Sequence, residues 1–118
     1  MNVTLKLPMP PSVNSIWRHG RNRRTGKPMV YLDIKYRQWK TDADKLLLTQ
    51  KPLPFIAGEF VATITLDERK RRGDADNRAK AVLDCLQRAG VIANDKHCRS
   101  VTSQWGEADG CSVQLVKV

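Results

Sequence analysis

The chain predicts a single α+β domain, a mixed sheet of about four strands with two helices, in the order strand, helix, strand, helix, strand, strand. Three observations carry this expectation. Short segments alternate apolar and polar residues, two longer segments repeat apolar residues at helical spacing, and proline and glycine clusters separate them. At 118 residues the chain can bury one core and is too short for two.

The first strand is read from Val3, Leu5 and Leu7 alternating with Thr4 and Lys6, and Pro8-Met9-Pro10-Pro11-Ser12 ends it. A basic stretch follows, in which Arg18, Arg21, Arg23, Arg24 and Lys27 fall with Gly20 and Gly26 and no apolar period is present, so a mobile arm or turn is expected. Asp33 stands where an N-cap would open a helix running to about Gln50, with Tyr36, Trp39, Ala43, Leu46 and Leu47 on one face. Pro52 and Pro54 stop it. Phe60, Ala62, Ile64 and Leu66 then alternate with Val61, Thr63 and Thr65, a strand apolar enough on both faces to be central. From Asp76 to Ala89 the period is helical again, with Ala79, Val82, Leu83 and Leu86 as the stripe and Gly90 at its end. Val91 and Ile92 lead to Asn94-Asp95, and two strands close the chain, about Cys98 to Trp105 and Cys111 to Lys117, joined by a turn containing Gly and Asp.

Composition narrows the partner. Lys and Arg number 21 against 12 Asp and Glu, a formal charge of +9, which favours a polyanion because each neutralised phosphate releases condensed counterions. With 41% hydrophobic residues the charge does not belong to a disordered tail. Cys85, Cys98 and Cys111 are odd in number and lack C-x-x-C spacing, so free thiols in a reducing cytoplasm are expected. On the two strands of one hairpin, Cys98 and Cys111 would be too far out of register to face each other. No apolar run approaches the roughly 20 residues of a bilayer span, so no membrane partner is expected.

The chemistry centres on one segment. Arg69-Lys70-Arg71-Arg72 is followed by Gly73 and Asp74-Ala75-Asp76, where a strand pattern gives way to a helix pattern. Arginines and lysines attract phosphates, whereas neighbouring carboxylates repel them unless a divalent cation lies between. Residues i and i+2 of an extended segment project to one side, so Asp74 and Asp76 can present their carboxylates together. Asp95 can join them if the chain turns back after Gly90, with Val91 and Ile92 packed on the core. Three carboxylates suit Mg²⁺, or Mn²⁺, hard cations that take oxygen ligands. Lys80, one helical turn past Asp76, would reach the phosphate.

Plainer readings stand beside these. Asp74 and Asp76 can be turn formers and an N-cap, Asn94-Asp95 an Asx turn, and Lys80 a partner of Asp84 at i+4. Other site types fit worse. A calcium loop from Asp74 would need Gly where Ala79 stands and Glu where Cys85 stands. The cysteines and His97 lack zinc spacing, no phosphate-cradling G-x-x-x-x-G-K-[ST] loop occurs, and His19 and His97 leave a serine or cysteine nucleophile without a placeable base. No small-molecule substrate is expected.

Pro10-Pro11-Ser12-Val13-Asn14-Ser15-Ile16-Trp17-Arg18, then Arg72-Gly73-Asp74-Ala75-Asp76-Asn77 with Lys80, then Ala89-Gly90-Val91-Ile92-Ala93-Asn94-Asp95, resemble the RusA family of Holliday-junction resolvases. The resemblance runs in order along nearly the whole chain, and D-x-D-N-x-x-K followed by A-G-V and a late acid is its specific part. It implies a RusA-like fold and a homodimeric, Mg²⁺-dependent endodeoxyribonuclease, bacterial or phage-encoded, acting in recombination and repair. Such an enzyme cuts four-way junctions by symmetric nicks that leave 5′-phosphate and 3′-hydroxyl ends. Carried over residue by residue, Asp74, Asp76 and Asp95 are the catalytic, metal-holding acids and Lys80 the catalytic lysine. Where some members carry a pair of acids, this chain has Asn94-Asp95. Candidate DNA contacts are Asn14, Arg18, Arg21, Arg23, Arg24, Lys27, Arg69, Lys70, Arg71 and Arg72. Two other readings remain open, a basic nucleic-acid-binding protein without activity and a related nuclease acting on forks or flaps.

Overall fold

The computed structural model describes residues 2–12 and 17–118. Among them the strands are β1 (Asn2–Leu7), β2 (Trp17–Arg21), β3 (Pro28–Leu32), β4 (Phe60–Asp67), β5 (Cys98–Gly106) and β6 (Cys111–Lys117), and the helices are α1 (Ile34–Leu48) and α2 (Ala79–Arg88). The main sheet has the order β1-β6-β4-β5, antiparallel at β1/β6 and β6/β4 and parallel at β4/β5. The α+β domain with its mixed four-stranded sheet and two helices is therefore as the patterning predicts.

Alternation places the core. Val3, Leu5 and Leu7 of β1, Phe60, Ala62, Ile64 and Leu66 of β4 and Cys111, Val113 and Leu115 of β6 are buried on one face of the sheet. Tyr36, Trp39, Ala43 and Leu47 of α1 close over them, with Ala81, Val82, Cys85 and Leu86 of α2. The buried stripe of α2 thus includes Ala81 and Cys85, while Ala79 and Leu83 sit half-buried at its border. Asp33 caps α1 as expected, accepting from the Lys35 amide at 3.0 Å. Trp39 Nε1 donates to Pro8 O at 3.0 Å, and the Gln50 amide bonds Lys6 in both directions, donating to its carbonyl and accepting from its N–H. Those bonds fasten α1 to edge strand β1 and occupy backbone groups that would otherwise stay open.

Two expectations need correction. The basic stretch is not a mobile arm: β2 and β3 pair as an antiparallel hairpin, a second sheet of their own. Its strands bury almost nothing, so no apolar alternation marks them. Strands β5 and β6 are consecutive but not paired, because β4 lies between them. Cys98 and Cys111 are therefore kept apart by a whole strand rather than by hairpin register, and all three thiols are free. Burial pushes Cys85 up to about 11 and Cys111 up to about 12, which keeps both as unreactive thiols. Among the described residues no helix is long and apolar enough to cross a membrane.

Candidate active site

Strand β4 ends on Asp67, whose carboxylate is buried. It accepts from the Arg69 backbone N–H and from both Nε and Nη2 of the Arg69 guanidinium, each at 3.0 Å. That guanidinium holds the Asp67 pKa down at about 2. Arg69 is a strut of the turn at Glu68–Lys70 before it is anything else. Arg71 and Arg78 lie over the ring of Trp105 on β5, at 6.0 and 5.7 Å from its centroid. Arg78 also donates to Pro10 O and, at 2.7 Å, to Arg72 O, tying the proline turn to the basic run. Burial, with the nearby charge of Arg72, pulls the Arg78 pKa below the usual arginine value.

Gly73 has φ +73°, a conformation that L side chains rarely adopt, and it swings the backbone out of the basic run. Asp74 and Asp76 follow, both exposed, and neither carboxylate has a hydrogen bond or ion pair among the described residues. A short 3₁₀ turn, Asp76–Arg78, leads directly into α2. On α2, Lys80 Nζ lies 3.1 Å from Asp84 Oδ1 and 3.5 Å from Asp95 Oδ2. The hydrogen bond to Asp84 is the main cause that raises the Lys80 pKa, and Asp95 adds to it. The ammonium therefore stays charged throughout the neutral range.

Asp95 comes back to α2 by the route its sequence suggests. Val91 and Ile92 are buried, Val91 O accepts from the Ile56 N–H at 2.9 Å, and the chain then opens a 3₁₀ turn at Asp95–His97. Asn94 caps that turn, accepting from the Lys96 amide at 2.9 Å, so position 94 has a structural job. The Asp95 N–H donates to Gln87 Oε1 at 3.0 Å. Lys80, Asp84 and Gln87, spaced i, i+4 and i+7, form one face of α2 that receives Asp95. Gln87 is the residue sequence reading passes over. Asp84 shows there only as an ordinary helix pair of Lys80, and Gln87 carries no signal beyond its spacing.

The structure thus brings Asp95 to Lys80. It does not gather Asp74, Asp76 and Asp95: among the described residues no group of three His, Cys, Asp or Glu side chains is placed to hold a metal ion. His97 Nδ1 is enclosed without a hydrogen-bond partner among those residues.

The family of sequences described as Endodeoxyribonuclease RusA matches residues 8–115, nearly the entire chain. The chain belongs to the RusA family. A crossover junction endodeoxyribonuclease RusA of Enterobacteria phage HK97 is 31% identical over 91 residues, covering 76% of this chain and 71% of that protein.

Against this RusA frame most of the predicted DNA contacts fall into two groups. Arg18 Nε donates to Asp33 at 2.9 Å, Arg21 donates to Gly26 O at 3.1 Å, and Arg69 holds Asp67, so these three guanidiniums have internal work. Arg23, Arg24, Lys27 and Lys70 are exposed, with side chains that pair with nothing described. Arg18, Lys35, Arg72 and Arg78 line a cleft of about 490 Å³ that reaches Gly73, beside Asp74, with Asp33 the one acid in its wall among the described residues. Lys35 and Arg78 are additions to the predicted basic set. Asn14 lies outside the described residues.

Proposed function

We propose that the chain is a divalent-metal-dependent endodeoxyribonuclease that resolves four-way DNA junctions, leaving 5′-phosphate and 3′-hydroxyl ends, in recombination and repair within a bacterial or phage-infected cytoplasm. The observation that carries the reading is the ion pairing of Lys80 with both Asp84 and Asp95, on the helix that follows two aspartates unpaired among the described residues. A protein that only binds nucleic acid gains nothing from unpaired carboxylates beside its arginines, because they repel the phosphates it must hold.

The donor chemistry suits a hard cation, although the described residues do not gather the three carboxylates. The donors are carboxylate oxygens, without thiolate or imidazole, and Asp74 and Asp76 need break no existing bond to take a ligand. Asp95 can be released without stranding Lys80, since Asp84 remains as its closer partner. Asp74, Asp76 and Asp95 would hold Mg²⁺ or Mn²⁺. Such an ion, when bound, polarises the scissile phosphate and acidifies a water. Lys80 places its ammonium where the phosphorane gains negative charge, and the basic cleft beside Asp74 aligns the strand through its phosphates. A four-way junction has two equivalent strands to cut, so a C2 homodimer would set one such site on each.

The test is a cleavage panel with Mg²⁺ on four-way junction, fork, flap, linear duplex and RNA, with product ends mapped. Paired nicks on the junction are expected. Preference for fork or flap would move the reading to a related nuclease, and binding without cleavage of any substrate would leave a non-catalytic DNA-binding protein.

A further inference from the structure

The β2–β3 hairpin has chemistry that phosphate contacts alone do not use. Residues 17–32 carry five basic side chains, Arg18, Arg21, Arg23, Arg24 and Lys27, and no Asp or Glu. The same ribbon leaves large apolar side chains in solvent: Trp17 is 57% exposed, Val30 57%, Tyr31 43% and Met29 40%. A two-stranded ribbon on its own is marginal in water, so exposing apolar groups on it needs an explanation.

Its geometry is nevertheless fixed. Asn22 Oδ1 accepts from the amides of Arg24 and Thr25 at 2.8 and 3.2 Å, and Asn22 and Lys27 close the turn at 2.9 Å. At the root, Arg18 is bonded to Asp33, the cap of α1. Pairing sets the two faces. Trp17, His19 and Val30 share one, and Arg18, Gly20, Met29 and Tyr31 share the other. A Cβ built on Gly20 would stand 3.1 Å from Tyr31 Cε1, so the tyrosine ring lies against bare backbone and is held there.

We propose that this hairpin is a base-stacking arm, with Trp17 and Tyr31 receiving nucleobases unstacked at the branch point while Arg23, Arg24 and Lys27 hold the flanking phosphates. Charge selects the occupant. A second copy of the hairpin would bring five positive charges against five, whereas nucleic acid supplies both the negative charge and flat apolar faces. Bases inside a duplex are covered by their neighbours, and only a branch, a fork or a single strand offers them. The inference rests on the junction reading and adds what the hairpin recognises.

The probe is a four-way junction carrying 2-aminopurine at the crossover, bound in EDTA to prevent cleavage. Binding of the unaltered protein should raise the fluorescence as the base leaves its stack. In the double variant Trp17→Ala, Tyr31→Ala, junction affinity should fall roughly tenfold to a hundredfold with an unchanged salt slope. At saturation the fluorescence rise should be lost. Trp17→Phe, Tyr31→Phe should keep both affinity and signal, because a ring remains. A silent label with the unaltered protein, or an undiminished rise with the alanine variant, overturns the proposal. So does conversion of a dimer to a monomer by the alanine variant in sedimentation, which assigns these side chains to a subunit contact. The two readings fail separately. If no branched DNA is cut with Mg²⁺, the junction reading falls; if branched DNA is cut while the label stays silent, the arm falls.

Discussion

Asp67 and Asp74 stand at the two ends of one basic run, and the fold treats them oppositely. Asp67 is buried and takes three hydrogen bonds from Arg69, whereas Asp74 is exposed, is followed two residues later by Asp76, and like it has no hydrogen bond or ion pair among the described residues. A buried carboxylate must be paired because desolvation penalises the bare charge, so Asp67 and Arg69 satisfy each other and leave nothing for a ligand. An exposed carboxylate in a chain of charge +9 has cations in plenty to choose from. That Asp74 and Asp76 take none among the described residues is what an acid open to an ion from solution would show. Sequence proximity to a basic run therefore does not separate strut from site; pairing does.

The largest effect should come from the unpaired end. Asp76→Asn is expected to lower single-turnover junction cleavage by about three decades, the equivalent of several kcal/mol of lost transition-state stabilisation. Junction affinity should hold or rise, since a negative charge has gone from beside the phosphates. The thermal melt should not move, because the side chain makes no bond to lose among the described residues. Cleavage at the normal rate would end the carboxylate-metal mechanism, and a lowered melting point would put Asp76 with Asp67 among the struts. Lys80→Gln belongs to the same series, with a loss of about 10²-fold for one displaced transition-state charge.

How much of this was legible beforehand follows the same division. Periods of two and 3.6 gave the strands of the four-stranded sheet and both helices, since those elements are built by burying one face, and Asp33 marked the start of α1. Helix α2 starts at Ala79 rather than Asp76, behind a 3₁₀ turn, and its cap Arg78 makes no side-chain capping bond. The turn after Gly90, with Val91 and Ile92 packed on the core, was also legible, but it delivers Asp95 to Lys80 and not to Asp74 and Asp76. The hairpin stayed invisible because it buries neither face: its strands are held by backbone pairing and an Asn22 turn, which leave no hydrophobic period to read. The β4 position between β5 and β6 was hidden for another reason, since a short connection looks alike whether the strands pair or straddle a third. At the site, residue types could be named but not their pairing. Whether Arg69 grips DNA or Asp67 depends on how deeply Asp67 is buried, a tertiary fact.

A second test carries the comparison to the arginines. Arg23→Ala with Arg24→Ala removes two guanidiniums that pair with nothing described, so junction affinity should weaken, with a salt slope flatter by about 1.8 for two lost phosphate contacts. The melting point should stay put. Filter binding over a series of salt concentrations measures the slope, and an unchanged one would reassign both residues to solubility.

The smallest effect on cleavage, and the sharpest on stability, belongs to Asp67→Asn. The folded pKa of Asp67 is about 2 against an ordinary 3.8, because the Arg69 guanidinium bonds and charge outweigh the desolvation that would raise it. A depressed acid binds its proton less readily when folded, so its stabilisation is complete above about pH 4 and is lost as pH falls towards 2. The unaltered chain should therefore lose part of its stability across that window, and the asparagine variant, with no proton to gain there, should lose less. At neutral pH the variant should be the weaker of the two, since an amide cannot replace a carboxylate facing both Nε and Nη2 of Arg69. Urea midpoints followed by tryptophan fluorescence, taken near neutrality and again near the acid end, give the four numbers needed. If the gap between the two proteins is the same at both pH values, the Asp67–Arg69 pair contributes no charge-dependent stability. If instead the gap closes in acid while the folded variant still cuts junctions, the basic run is divided as the structure draws it, with a strut before Arg71 and a site after Gly73.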